Sequence, residues 1–139
     1  MKEAGPEVVD QRELCGLIAR VDQIMDAHVR AVADQLGITS SQAVALRELD
    51  QPLTLKELAS RMCCEASNAG YVVDRMSEQG LITRNPHPSD RRAKLISLTD
   101  GGQGCRSNVL RALQDQSPTA ALTLAEAKQL TTLLGKVVG

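Results

Sequence analysis

Residues 65–98, EASNAGYVVDRMSEQGLITRNPHPSDRRAKLISL, hold a helical pattern that runs into two short apolar stretches joined by a basic, proline-bounded tip. Val72, Val73 and Met76 recur at helical spacing, with Leu81 past Gly80, and this leaves Ser67, Asn68, Gly70, Tyr71 and Arg75 to face outward. Gly80 is expected to stop the helix, because glycine enters the left-handed conformation after a last turn without steric cost. Residues 81–84 and 94–98 read as strands, and the cluster Pro86-His87-Pro88-Ser89-Asp90 is expected outside their ladder, since proline has no N–H to give it. A helix followed by a long-tipped hairpin makes double-stranded DNA the first partner to consider.

The tip carries the charge. Four basic side chains (Arg84, Arg91, Arg92, Lys94) stand there against one acid, Asp90, in a chain whose formal total is −1. Residues 54–94 hold seven Lys or Arg against five Asp or Glu, while the remainder holds nine against twelve, so the acidic excess lies away from this region. What matters for a nucleic-acid partner is where the charge sits as well as how much there is. Arginine suits such a tip because its planar fork binds a phosphate through two hydrogen bonds or enters a narrow minor groove. A solvated hairpin with ordinary surface charge is the alternative reading of the tip alone.

Taken together, residues 53–102 resemble the helix-turn-helix and wing of the MarR family of bacterial transcription regulators. Three pieces carry the resemblance: Leu53-Thr54-x-x-Glu57-Leu58-Ala59, then Val73-Asp74-Arg75-Met76-x-x-x-Gly80-Leu81-Ile82, then Asp90-Arg91-Arg92 followed by Leu98-Thr99-x-x-Gly102. Element order extends it to about residues 10–137. It implies a mainly α fold with a small β-hairpin: a winged helix-turn-helix lobe over 38–98 and dimerisation helices over 10–36 and 99–137, within one domain spanning 1–139. It also implies a homodimer on a palindromic operator, commonly a repressor released by a small ligand or by thiol oxidation, and not an enzyme.

The rest of the chain agrees with that outline. Leu14, Leu17, Ile18, Val21, Ile24, Met25, His28, Val29, Val32 and Leu36 form one helical stripe from about residue 11, closing at Gly37. So long a stripe needs a partner to cover it. Thr39 with Gln42, Thr54 with Glu57, and Thr123 with Glu126 have the spacing of capping boxes and mark three further helix starts. Residues 99 to about 116 make another helix, broken by Ser117-Pro118, and Leu124, Ala127, Leu130, Leu133, Leu134 and Val137 make a last amphipathic one. The first, fifth and sixth helices are then the expected dimer interface. The chain of 139 residues is 42% apolar, enough for one core, yet it has no Phe or Trp and one Tyr, so that core must be aliphatic. The first nine or so residues read as a tail. No apolar run approaches the ~18 residues of a membrane span and no signal-peptide pattern opens the sequence, so a cytoplasmic protein without membrane association is expected.

The candidate DNA contacts each have a plainer reading. Ser67 and Asn68 fall in the first turn of the reading helix, where side chains meet base edges and Asn pairs with adenine, but both residues also favour helix starts for their own sake. Gly70 forgoes about 1 kcal/mol of helix propensity relative to alanine, which close approach to DNA or tolerance of poor packing would explain. Tyr71 can reach a phosphate or a thymine methyl, or lie half-buried. Arg75 can hold a phosphate or pair with Asp74 or Glu78. Thr54 can donate to a phosphate from the start of its helix. The resemblance implies that Asp90 orients Arg92 into the minor groove, which leaves Arg91 to the phosphates.

The four cysteines are expected to be free thiols in a reducing compartment. Cys64 reads as a small packed hydrophobe and Cys63 as the cover of the turn; a thiol switch, or a thiol oxidoreductase, is the sharper alternative. Only Arg61 is near enough to lower a thiol pKa, and Glu65 would raise it. Cys15 lacks nearby tyrosines to support a sensing role. Glu65 also stands where a helix-capping Ser or Asp is usual, leaving the helix start in question. His28, on the apolar stripe, reads as a satisfied interface residue or, with Arg30, as the charged side of a small-molecule effector cleft. His87 is expected to be exposed. Two distant histidines make no metal site, and no phosphate loop, catalytic set or cofactor fingerprint occurs, so no cofactor is expected. A winged-helix module that binds protein instead of DNA is the alternative of a different class.

Overall fold

The computed structural model describes residues 8–139; of the expected N-terminal tail, residues 1–7 lie outside them. The first stripe forms α1 (Gln11–Leu36), begun by Asp10, whose carboxylate accepts the Glu13 N–H at 3.1 Å, and closed by Gly37 at φ 70°. α2 (Ser40–Glu48) and α3 (Leu55–Met62) start at the expected capping boxes of Thr39 and Thr54. α4 (Ala66–Glu78) begins although Glu65 makes no side-chain cap, and ends before Gly80 at φ 75°. A helix anchored by tertiary burial of Ala69, Val72, Val73 and Met76 does not depend on its cap to exist.

The hairpin pairs β1 (Ile82–Pro86) with β2 (Lys94–Leu98), antiparallel, with Ile82 opposite Leu98 and Pro86 opposite Lys94. Two expectations are corrected here. Leu81 is the hinge before the strand, its N–H given to the Met76 carbonyl at 2.9 Å. Pro86 belongs to the ladder as its last rung; in a two-stranded sheet every strand is an edge, where a missing N–H can face outward. Leu53, not expected in the sheet, exchanges two backbone hydrogen bonds with Ile96 (3.1 and 2.7 Å) and pins the hairpin to the start of α3.

α5 (Asp100–Gln114) starts at Thr99 and ends two residues before the expected limit, because Asp115 turns to an extended conformation and Gln116 to φ 54°. α6 (Leu124–Val138) follows, opened by Thr123 and Glu126. The core lies where α2 meets α1, α3, α4 and α5, and its largest fully buried side chains are Leu46, Leu53, Leu58, Val73, Met76 and Val109. All are aliphatic or thioether, each worth about 1.5–3 kcal/mol when removed from water. The molecule is a winged helix-turn-helix with additional helices.

Burial is unevenly spread along the outer helices. Within α1 only Val29, Val32 and Ala33 are buried, while Leu14, Leu17, Ile18, Val21 and Ile24 stay exposed. Among the described residues α6 buries none of its own and packs substantially on no other element, though Leu130, Leu133, Leu134 and Val137 line it. An apolar surface of this extent on a chain marks an interaction site.

Candidate nucleic-acid interface

The α3–α4 turn is three residues long, Cys63 to Glu65, and is tight because Cys63 takes the left-handed conformation (φ 57°, ψ 43°) as the cap of α3. Its N–H reaches the Ala59 and Ser60 carbonyls, and Cys64 N–H reaches Ala59 at 3.1 Å. α4 is thereby set across α3 with its buried residues inward. Ser67, Asn68, Tyr71, Asp74 and Arg75 all project outward. Tyr71 is 66% exposed, which decides against the half-buried reading. With no side chain capping it, the first turn of α4 leaves N–H groups free for an outside acceptor.

Among the described residues Gly70 has no packing cause, since a Cβ there would meet only Leu55 Cδ2 at an ordinary 3.8 Å. Thr54 is less available than expected. Its hydroxyl donates to Glu57 Oε1 at 2.9 Å and its N–H faces the same oxygen at 3.4 Å, so a carboxylate already stands where a phosphate would dock. Arg75 pairs with neither Asp74 nor Glu78; Asp74 instead receives Arg84 from the hairpin.

The hairpin tip is folded by its own side chains. His87 N–H donates to the Ala93 carbonyl (3.1 Å), and Ser89 N–H donates to His87 Nδ1 (3.1 Å), so His87 is half-buried and not the exposed residue expected. Asp90 Oδ1 accepts the backbone N–H of Arg92 at 3.0 Å. The carboxylate thus shapes the turn and does not hold the Arg92 guanidinium, contrary to the orienting role that the resemblance implied. One residue of separation at a turn brings an Asp oxygen to the amide two positions on more easily than to a long side chain. Arg91 and Arg92 are exposed and, among the described residues, have no acidic partner.

The start of α3 and the hairpin border one groove of about 550 Å³, walled by Leu55, Val73 and Ile96 and rimmed by Lys56, Arg84, Arg92 and Lys94 against one acid, Asp90. Lys56 was not singled out from the sequence; its place in the first turn of α3 and beside the hairpin follows from the Leu53–Ile96 bridge, which no local pattern signals. The groove is concave, basic and open, shaped for an extended polyanion.

Elsewhere the structure separates residues that the sequence grouped. His28 Nε2 lies 2.7 Å from the Leu113 carbonyl of α5 and lines a cavity of about 230 Å³ with Gln35, Asp115 and Gln116, but Arg30 is exposed and takes no part in it. Positions two apart on a helix face away from each other. Cys15 and Cys63 are exposed, Cys64 and Cys105 half-buried, and all are free thiols. Arg61, the cation nearest Cys63 in sequence, is engaged with Asp50 (3.0 Å) and directed to the Glu48 carbonyl (3.5 Å). Among the described residues no cluster of three His, Cys, Asp or Glu could hold a metal, and no helix is long and apolar enough to cross a membrane.

Comparison with known proteins supplies an independent line. The family model described as MarR family matches residues 38–94. The organic hydroperoxide resistance transcriptional regulator of Bacillus subtilis is 33% identical over 94 residues, 66% of this chain and 64% of that protein, so the match spans just under two thirds of that relative's length. The crystal structure of a mutant MarR from E. coli complexed with operator DNA is 30% identical, with a TM-score of 0.68, covering 91% of this chain and 94% of that one. Bordetella bronchiseptica BpsR, described as regulated in its DNA binding by 6-hydroxynicotinic acid, is 23% identical with a TM-score of 0.69, covering 96% and 97%, and shares the fold.

Proposed function

The chain belongs to the MarR family of transcriptional regulators, and from that premise we propose that it is a homodimeric, sequence-specific DNA-binding repressor, seated on a palindromic operator and released by a small ligand. The observation that carries the reading is the basic groove between the start of α3 and the hairpin, beside a helix-turn-helix whose second helix, α4, exposes Ser67, Asn68, Tyr71 and Arg75. Ser67 and Asn68 are assigned to base edges, with Gly70 and Tyr71 beside them allowing close approach. Arg75 and Arg91 are assigned to phosphates and Arg92 to the minor groove, with Asp90 shaping the turn that presents it. Thr54 contributes through the box that starts α3. Residues 38–98 form the DNA-binding lobe, and 10–36 and 99–137 the dimerisation helices.

Homodimerisation is supported by the exposed apolar faces of α1 and α6, the second of which has no cover among the described residues. A two-fold dimer presents two reading helices to two inverted half-sites. The cavity beside His28 is the place to begin a search for the effector, because it lies between α1 and the end of α5, within the proposed dimer region. His28 already serves the Leu113 carbonyl and Arg30 faces elsewhere, so neither is assigned to an anionic ligand's charge. A thiol-responsive form of the same regulator has one supporting observation, the exposed Cys63 at the α3–α4 turn, and one against it, the commitment of Arg61 to Asp50. The reading includes no catalysis and no cofactor, and a protein acting on the operator works in the cytoplasm.

Gel-shift binding to the protein's own upstream region, repeated over a salt series, tests this against the protein-binding alternative. Each phosphate neutralised steepens the dependence of log K on log salt by about 0.9, so a dimer with three to five such contacts per protomer should give a slope of roughly −5 to −9. Binding that unlabelled random DNA removes equally well, or a slope near zero, would remove the support for a sequence-specific regulator.

A further inference from the structure

Resting on that reading, we propose that the Asp74–Arg84 ion pair is a positioning latch, which fixes the offset between the bases read by α4 and the minor-groove segment reached by the hairpin tip. Arg84 lies on β1 opposite Ile96, and its guanidinium reaches back over the Gly80–Leu81 turn to the Asp74 carboxylate on α4. Ile96 is the residue that Leu53 holds by two backbone hydrogen bonds. The Arg84–Ile96 rung is therefore held from both sides, by α3 through Leu53 and by α4 through Asp74. Only the Asn85–Leu95 and Pro86–Lys94 rungs and the tip carrying Arg91 and Arg92 extend beyond it toward the loop.

Two consequences follow for binding. The latch engages one of the two exposed acids of α4 near Arg75, so that Asp74 neither captures Arg75 nor repels a phosphate. It also makes the separation between Asn68 and Arg92 a property of the free protein, so that a duplex whose A·T segment sits one base pair away is disfavoured. Arg84 is then no phosphate contact, although it is one of the four hairpin cations. Both side chains are partly exposed, and exposed pairs add little to folding, so variants of either residue should fold.

The test compares the selected operator with the same duplex in which each flanking A·T segment is moved outward by one base pair. The wild-type protein should prefer the first by about tenfold or more, the scale of one mismatched base pair. Asp74→Ala and Arg84→Ala should each bring that ratio to within about threefold, their combination should do no more than either, and the exchange Asp74→Arg with Arg84→Asp should restore it. A partly unfolded variant loses affinity on both duplexes and leaves the ratio alone. If both single variants keep the wild-type ratio, while Arg84→Ala lowers the salt slope by about one unit per protomer, Arg84 is a phosphate contact and the latch is wrong. Should the wild-type protein select no duplex, the regulator reading fails by itself. The latch is then judged on amide exchange over residues 82–98 of the free protein, which speeds up in either variant if the pair holds the hairpin and is unchanged if it does not.

Discussion

Adjacent glycines at the start of α5 make opposite predictions for the same substitution. Gly102 is buried, and a Cβ added there would overlap the Leu81 carbonyl oxygen and lie 3.1 Å from Leu98 Cδ2. The obstacle is backbone, and it is held in place: Thr99 N–H donates to that same carbonyl at 3.0 Å, and Thr99 Oγ1 donates to the Gly80 carbonyl at 2.7 Å. α5 must therefore move away from the turn that ends α4. Overpacking of this kind is typically unfavourable by about 1–3 kcal/mol, and the ~1 kcal/mol that alanine gains over glycine in a helix offsets part of it. At Gly101 the nearest atoms to a Cβ are 3.7 and 3.9 Å away, an ordinary contact, so only the propensity gain remains. Since the overlap is with backbone, the upper end of that range applies, so Gly102→Ala should lower stability by about 2 kcal/mol, and Gly101→Ala should raise it by up to about 1 kcal/mol. Urea unfolding at fixed protein concentration separates them. Because the displaced turn carries the base of the hairpin, Gly102→Ala should also weaken DNA binding in its folded fraction. A Gly102→Ala protein as stable as the wild type would refute the claim that α5 bears directly on this turn.

Asn68→Ala should weaken binding to the selected site by about 1–3 kcal/mol and relax one base position, whereas equal losses on random DNA would make Asn68 a positioning contact. Arg92→Ala should lose most at sites with a narrow, A·T-rich minor groove, while Arg91→Ala should weaken all sequences alike and lower the salt slope by about one unit per protomer. Asp90→Ala removes the acceptor of the Arg92 N–H, so it should weaken binding despite deleting a negative charge; tighter binding at every salt concentration would leave the hairpin as a basic patch alone. At the start of α6, hydrogen bonds from the Thr123 backbone and side chain hold the Glu126 carboxyl below its ordinary value of 4.5. A depressed folded pKa gives support that is complete above the unfolded value and is lost as pH falls through the folded one. The first turn of α6 should therefore fray only in acid, and Thr123→Ala, which removes the hydroxyl but keeps the backbone N–H, should move the Glu126 titration, followed by NMR, upward but only part of the way to the ordinary value.

What could be read from the sequence was what depends on neighbours in sequence. The glycines at 37 and 80, and the three threonine boxes, act over three or four residues, and each helix began or ended where they stood. Apolar periodicity likewise gave the inward face of α4. Contacts between distant residues were not legible. His28 meets a carbonyl 85 residues away, Leu53 meets Ile96, and Arg84 takes the Asp74 that the sequence offered to Arg75. Nothing in the pattern announces which atom a polar side chain will choose, and for that reason Asp90 was assigned to the wrong part of Arg92. The uncapped start of α4 was left open by the sequence because its answer lies in burial against the rest of the fold.

Selection of duplexes from a random pool by the purified protein, followed by hydroxyl-radical footprinting on the winner, bears on the whole account at once. It predicts two inverted half-sites whose centres lie about one helical turn apart, or a multiple of it, each read in the major groove and flanked by an A·T-rich minor-groove segment that Arg92→Ala leaves unprotected. A pool that enriches no sequence, or a single asymmetric site whose footprint is unchanged in Arg92→Ala, would contradict it.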